Sequence, residues 1–498
     1  MILYQQSQDW NQWDIPTGYL GWVGRATYAY KQRYLFEMNA GYNGSMQFSK
    51  DHRYGFFPAF SAGWVISEEP FFKEDMILSY LKLRGSYGEI GNDKIGDFKY
   101  LYEQIYNRAP NNQRFVWIFG EKNYTTSRGL IEGMLGNNKV SWERARKSNI
   151  GFDSKFLNNK LSISFDAFME RRTDILAIPY SIPLVLGFNN PQNSERDDKQ
   201  GLPPENIGIV TNKGIDFELG YNGKIQNFNY FVKGNFTFAR NKIERIDEEG
   251  KKYDWQKREG KRIGQHFGYT DAGLFQLEDF ELDANKQLVL IGGFPVLKEG
   301  IPIPTMGVVY PGDVRYEDLN GDGIINSYDI GNIGKSNVPE FNYGVTIGAN
   351  YRGFDLSILW QGAGGAHTYF NEDAIWEFFA QGKVMEHHLG RYNPNDPSTW
   401  ETATYPRLHA VDSENNHQKS TRWLFSRDYL RLKNLEIGYT LPKSVMERIN
   451  LRKIRIFANG TNLLTFDDVM NWDPESSNST GSMYPQLRNW NIGLNITF

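Results

Sequence analysis

A chain of 498 residues with a mean hydropathy of −0.57 contains no uninterrupted apolar run approaching about 18 residues, which excludes helical membrane spans. Its 55 basic and 59 acidic residues leave a net charge of −4, which carries no polyanion-binding signature, so no nucleic acid partner is expected. With no Cys at all, thiol catalysis, Cys-based zinc sites and disulfides are excluded as well.

The segment Met1 to Trp13 has no basic region followed by an apolar one, so no signal peptide is visible. Either the protein is not exported or its natural start lies upstream. From Tyr19 onward a period-2 alternation sets in. Trp22, Ala26, Tyr28 and Tyr30 share a face; a short turn, Lys31 to Arg33, leads into Tyr34, Phe36, Met38, Ala40 and Tyr42, opposed by Glu37, Asn39 and Asn43. This pattern predicts a long hairpin, followed by strands over Phe56 to Ile66 and Leu81 to Tyr87. Further hairpins are predicted around Asn158–Asn159, between the Ile215–Asn222 and Phe228–Phe238 runs, and around Arg352–Gly353. The last segment, Arg488 to Phe498, puts Trp490, Ile492, Leu494, Ile496 and Phe498 on one face and only Asn, Gly and Thr on the other.

Between these hairpins lie long polar segments: Gly88 to Lys147, Thr173 to Ile207, Asn241 to Glu340, Gly362 to Arg427 and Asn462 to Gln486. Strands of about ten residues joined by short turns at one end and long loops at the other are the signature of an outer-membrane β-barrel. About fourteen strands are expected. An aromatic content of 15%, with 29 Tyr, 33 Phe and 13 Trp, suits the interfacial girdles of such a barrel. The fold class expected is all-β, a transmembrane antiparallel β-barrel.

The sharpest local motif runs from Asp318 to Asp329. Asp318, Asn320, Asp322, the carbonyl of Ile324, Asn326 and Asp329 stand at positions 1, 3, 5, 7, 9 and 12 of a calcium loop, with Gly323 at 6. Asp329 replaces the usual Glu, and the flanks lack helices, so an isolated Ca²⁺ loop is expected rather than an EF-hand; the ion-free alternative is a loop of Asx turns. His387 and His388 have no helical i, i+4 partner and are read as part of a solvated loop. The aromatic set Trp360, His367, Tyr369, Phe370, Trp376, Phe378 and Phe379 suits either ligand stacking or loop packing, and packing is the expectation. No nucleophile elbow or P-loop is present, and no enzyme activity is expected.

Several stretches resemble the SusC/RagA-type TonB-dependent transporters. They are Gly24 to Leu35, Phe57 to Glu69, Leu81 to Asn92, Asn212 to Asp216, Asp313 to Gly323 and Tyr429 to Tyr439, in matching order along nearly the whole chain. The resemblance implies an outer-membrane location, a 22-stranded barrel of which residues 1–498 form the C-terminal part, and a plug domain absent from this chain. It also implies a SusD-like surface lipoprotein as partner, TonB as the energy source through a missing N-terminal region, and a glycan or peptide as substrate. Phe498 resembles the terminal aromatic read by barrel-assembly machinery. The alternatives are a passive or structural outer-membrane barrel, or a secreted all-β carbohydrate-binding or glycoside-cleaving protein.

Overall fold

A computed structural model describes residues 1–9, 17–73, 77–94, 99–108, 116–119, 125–128, 130–180, 202–411, 413–448, 451–476 and 478–498. Parts of the loops expected over Gly88–Lys147 and Thr173–Ile207 lie outside the described residues. The chain is nearly all β, as expected. Its main strands are β1 (Ile2–Asp9), β2 (Thr17–Tyr30), β3 (Tyr34–Ser45), β4 (Tyr54–Val65), β5 (Leu78–Asn92), β6 (Glu143–Phe156) and β7 (Leu161–Ala177). They continue with β8 (Glu205–Ile225), β9 (Phe228–Arg245), β10 (Phe341–Tyr351), β11 (Phe354–Gly364), β12 (Tyr429–Thr440), β13 (Lys453–Asp467) and β14 (Asn489–Thr497). These form a 14-stranded sheet in chain order, and neighbours such as β2 and β3 or β13 and β14 are antiparallel. Among the described residues one short α-helix, α1 (Lys443–Arg448), interrupts the β12–β13 connection.

By internal contacts the chain divides into two units. The first holds β1 to β7 and most of β8; the second holds β10 to β14 and the loops between them. Within each, alternation separates two chemically distinct faces.

In the first unit the outward-looking face of β2 to β5 is apolar and exposed, with Trp22, Tyr28, Phe36, Met38, Phe60 and Tyr87 all open to the surroundings. Rings gather at both ends of it. Tyr30 stacks on Tyr34 and Tyr34 on Trp64, each at 6.5 Å, beside the short turns; Tyr42 and Tyr54 stack at 5.3 Å toward the opposite end. Tyr34 and Tyr42 lie on the same face of β3, about 27 Å apart along an extended strand, against a lipid-facing band about 25 Å tall in outer-membrane barrels. The opposite face is charged: Arg84 reaches Asp153 (3.1 Å) and Asp166, Lys147 pairs with Glu170 (3.1 Å), and Arg25 with Glu37 (2.8 Å).

The second unit repeats the arrangement. Phe354 packs on Tyr439 at 4.5 Å beside the tight turns, and Trp360 on Phe466 at 6.3 Å toward the loops. On the other face Arg455 holds Glu436 (2.6 Å) and Asp355, and Asn459 donates to Glu436 (3.2 Å). The apolar side of β14 is as bare as its sequence demands: Ile492 is 86% and the neighbouring Phe498 82% exposed. Only a hydrocarbon solvent makes such a face favourable.

The turns take the conformations their residues allow. Lys31 (φ 49°) and Gln32 (φ 58°) are left-handed, and Arg352 (φ 47°) with Gly353 (φ 92°) closes β10 onto β11 as a primed turn. A Cβ on Gly353 would meet the Thr440 carbonyl at 2.7 Å, so both φ and space require glycine there.

Strands run past the expected boundaries at the loop side. Segments read as loop, Gly88–Asn92, Glu143–Lys147, Thr173–Ala177 and Asn462–Asp467, belong to β5, β6, β7 and β13. Beyond the apolar band both faces are wet, so pairing continues while the alternation that reveals it stops.

Met38 lies midway between the ring belts, so Met38→Arg should destabilise the chain folded in lipid by about 2–4 kcal/mol. Asn39→Arg, on the charged face, should change stability by less than about 1 kcal/mol; denaturant titration in bilayers measures both.

Candidate functional site

The long loops of the second unit are folded objects with cores of their own. Over residues 262–340, His266–Gly268 pairs with Gly331–Gly334, Asp271–Leu274 with Val314–Tyr316, and Ile303–Pro304 runs parallel to Ile324–Ile325. These pairings bury Tyr269, Val314, Tyr316 and Ile325 in one cluster and Phe275, Phe280 and Val309 in another. Over residues 365–428, His367–Tyr369 pairs with Leu424–Ser426. That segment shares a core with the loop before β14: Phe370, Ile375, Tyr405 and Trp423 pack with Val469, and Trp472 packs against them.

The aromatic set noted in the sequence divides accordingly. Phe370 is fully buried, Tyr369 and Trp376 border the same core, and Phe379 meets Trp376 edge-on at 5.7 Å. Burial pushes the Tyr369 hydroxyl up to about 12. Trp360 belongs to the ring belt, and His367 accepts from the Lys335 amide (2.8 Å). Loop packing is thus what Tyr369, Phe370, Trp376 and Phe379 do, with Phe378 left exposed.

The solvated reading of the paired histidines is corrected. His388 is only 2% exposed; its Nδ1 accepts from the Met385 amide (2.7 Å) and its Nε2 donates to the Ile375 carbonyl (3.1 Å). Burial, then the neighbouring His387, holds it below the ordinary histidine value. No period in the sequence signals this, because the packing partner Tyr405 comes from a different turn of the loop.

A polar clip joins the loops. Asn416 Oδ1 accepts from the Val314 amide (2.9 Å), Asn415 Nδ2 donates to the Val314 carbonyl (2.8 Å), and the Tyr316 hydroxyl donates to the Asn415 carbonyl (2.6 Å). Two side-chain amides thereby satisfy Val314 as a neighbouring strand would. Asp313, with no exposure, accepts from the Tyr310 amide (2.8 Å) and Asn416 Nδ2 (3.0 Å), with His409 Nε2 at 2.6 Å. Glu377 receives the Tyr405 hydroxyl (2.7 Å), His417 Nε2 (3.3 Å) and the His409 amide (3.1 Å). Burial pushes its carboxyl up, but those bonds outweigh it and hold the group below its ordinary value.

A second clip ties the loop before β14 to the wall. Arg431, only 2% exposed, pairs with Asp473 (2.8 Å) and Glu475 (2.5 Å), and Tyr429 donates to Glu475 (2.8 Å). Arg427 adds bonds to the carbonyls of Pro474 (2.8 Å) and Asn337 (2.5 Å). The stretches Asp313–Tyr316 and Tyr429–Arg431, which carried part of the family resemblance, are therefore anchor points for loops.

The Asp318–Asp329 turn lies between two of the short loop strands. Asp318 accepts from the amides of Gly321 (2.8 Å) and Gly323 (2.7 Å), Asn320 from Asp322 (2.9 Å), Asp322 from Ile324 (2.9 Å) and Asn326 from Tyr328 (2.8 Å). Asp329, fully buried, accepts from Leu319 (2.9 Å) and Asn326 (2.8 Å). Among the described residues no group of three or more His, Asp or Glu gathers at metal-ligand spacing. The donors are nonetheless of the hard-oxygen kind that calcium takes, and each carboxylate oxygen keeps a lone pair beyond the N–H it accepts.

Residues 9–463 match the family described as TonB dependent receptor-like, beta-barrel. The chain belongs to that family. The receptor is 26% identical over 501 residues to TonB-dependent receptor P3 of Formosa agariphila, covering 95% of this chain and 45% of that protein. It is also 26% identical over 488 residues to TonB-dependent receptor SusC of Bacteroides thetaiotaomicron, covering 96% of this chain and 44% of that one. Among solved structures, the RagAB peptide importer in its open-open state superposes with a TM-score of 0.71 at 20% identity, over 97% of this chain and 47% of that one. The chain thus spans less than half the length of the relatives it matches. The SusC/RagA resemblance, the barrel fold and the outer-membrane location all hold, which sets aside a secreted soluble protein.

Asn416→Ala should cost about 1–3 kcal/mol of local loop stability, because Val314 is left with an unmet buried amide. Hydrogen exchange of residues 313–317 measures it, with the strands unaffected. His388 is held neutral in the fold, its value lowered, so its contribution is present above the ordinary value of 6.5 and lost as pH falls through the lowered one. Exchange protection around residues 372–410 should fall below that pH, and His388→Gln should flatten the dependence.

Proposed function

We propose that the receptor is the barrel part of an importer that takes up oligosaccharides or peptides across the outer membrane, driven by TonB, with a SusD-like surface lipoprotein as lid. No catalysis is involved. The observation that carries this reading is the architecture of the loops. They are held by buried clips and private hydrophobic cores rather than left free, so they form a stable rim on which a ligand and a lid can dock. The wall of the same unit offers fixed charges such as Arg455 and Glu436 along which a polar solute can pass.

The test is uptake of labelled oligosaccharides and peptides by cells carrying the gene for this protein, with TonB or a SusD-like lipoprotein gene deleted in turn. Uptake lost in either deletion supports the reading. Uptake indifferent to TonB would make the protein a passive barrel.

We also propose that Asp318, Asn320, Asp322, Ile324, Asn326 and Asp329 hold Ca²⁺ with modest affinity, stabilising the rim by closing the turn that its hydrogen bonds already curl. Calorimetric titration of Ca²⁺ should give saturable heat with the wild type and none with Asp318→Ala. Equal heats would refute the site.

A further inference from the structure

The lipid-facing surface of β2 to β5 is grooved. Register puts Ala26, Met38, Phe60 and Tyr87 in one row across the strands, and Tyr28, Phe36, Ala62 and Gly85 in the next. The first row is large at Met38, Phe60 and Tyr87 and the second at Tyr28 and Phe36, so the small residues Ala26, Ala62 and Gly85 leave a groove of about 580 Å³ among them. Its walls are Tyr28, Phe36, Met38, Phe60 and Tyr87, all exposed. It crosses four strands, about 14 Å at the usual interstrand spacing.

Gly85 is the informative residue. A Cβ there would meet only the Asn149 carbonyl, at an ordinary 3.7 Å, whereas one on Gly91 of the same strand would enter the Phe57 ring at 2.0 Å. Gly91 is required by packing; Gly85 is not. A side chain at Gly85 would fill the groove with covalently held apolar atoms, so its absence leaves a space that the surroundings must fill.

The next row beyond the groove is Tyr30, Tyr34 and Trp64, the ring belt beside the short turns. The groove therefore lies inside the apolar band, about 7 Å from that belt along the strands. In outer-membrane barrels the short turns are periplasmic, which places it in the periplasmic leaflet. Neighbouring rows stand about 7 Å apart centre to centre, so the space between their side chains is narrower than the 10–12 Å of a helix with its side chains. We propose that this groove seats one acyl chain of a periplasmic-leaflet phospholipid as a retained, structural lipid. The seat is continuous with the bilayer contact of the belt, and the inference is independent of which solute the receptor imports.

The full-length receptor, purified in mild detergent and taken through repeated detergent exchange, should retain one phospholipid when examined by native mass spectrometry and lipid extraction. Gly85→Leu and Ala62→Phe, which fill the groove, should lower that retention by about tenfold, a loss of roughly 1.4 kcal/mol. Leu494→Phe, on the lipid face of β14, should retain it as the wild type does. Folding of every variant is checked by heat-modifiable mobility on SDS gels. Equal retention in all variants, equal loss in the Leu494→Phe control, or no retained lipid in the wild type would overturn the proposal. So would a polypeptide or a second copy of the chain, rather than a lipid, released by the groove-filling variants.

Discussion

A backbone crossing hydrocarbon has nowhere to place its amides and carbonyls except on the next strand, and that constraint organises everything else in this receptor. Once pairing is compulsory, side chains alternate between lipid and interior, and the composition of each face follows from its solvent. The bare apolar side of β14 and the ring belts of β2 to β4 answer to lipid. The Arg84–Asp153–Asp166 and Arg455–Asp355–Glu436 groups answer to a polar interior. A charge exchanged between faces would be penalised on one and absorbed on the other.

The same rule accounts for where order is spent outside the band. Loops there can hydrogen-bond to water and have no obligation to fold, yet those of the second unit bury Asp313, Asn416, Glu377 and Arg431 almost completely. Buried polar groups are costly unless fully partnered, and the partners here come from distant stretches: Val314 with Asn415 and Asn416, Arg431 with Asp473 and Glu475. Such networks favour a single arrangement of the loops.

Gly85 and Ala62 show a further use of the lipid face. A belt of uniform large side chains would give a smooth wall against fluid lipid. The alternation of Tyr28 and Phe36 with Phe60 and Tyr87 across two rows instead creates relief, and relief of this width suits a chain of methylenes better than a helix.

The sequence alone determined the strand faces, the tight turns at Lys31–Arg33 and Arg352–Gly353 and, through its family stretches, the kind of barrel, because these depend on residues two positions apart or adjacent. It left three strands unread, β12 being marked only as a family stretch. In β1, Gln5, Gln6 and Gln8 leave no apolar face. In β13, a bulge at Asn462 (φ 54°), where the register against β12 shifts beside Asn434, breaks the alternation. The calcium-like spacing was legible, but not that Asp329 is buried against the amides of Leu319 and Asn326. The burial of His388, the Asn415–Asn416 clip and the lipid groove were decided only by tertiary structure. Each is made by side chains tens of residues apart, or by relative sizes across four strands, and no local period records which residues will meet once the sheet sets its register.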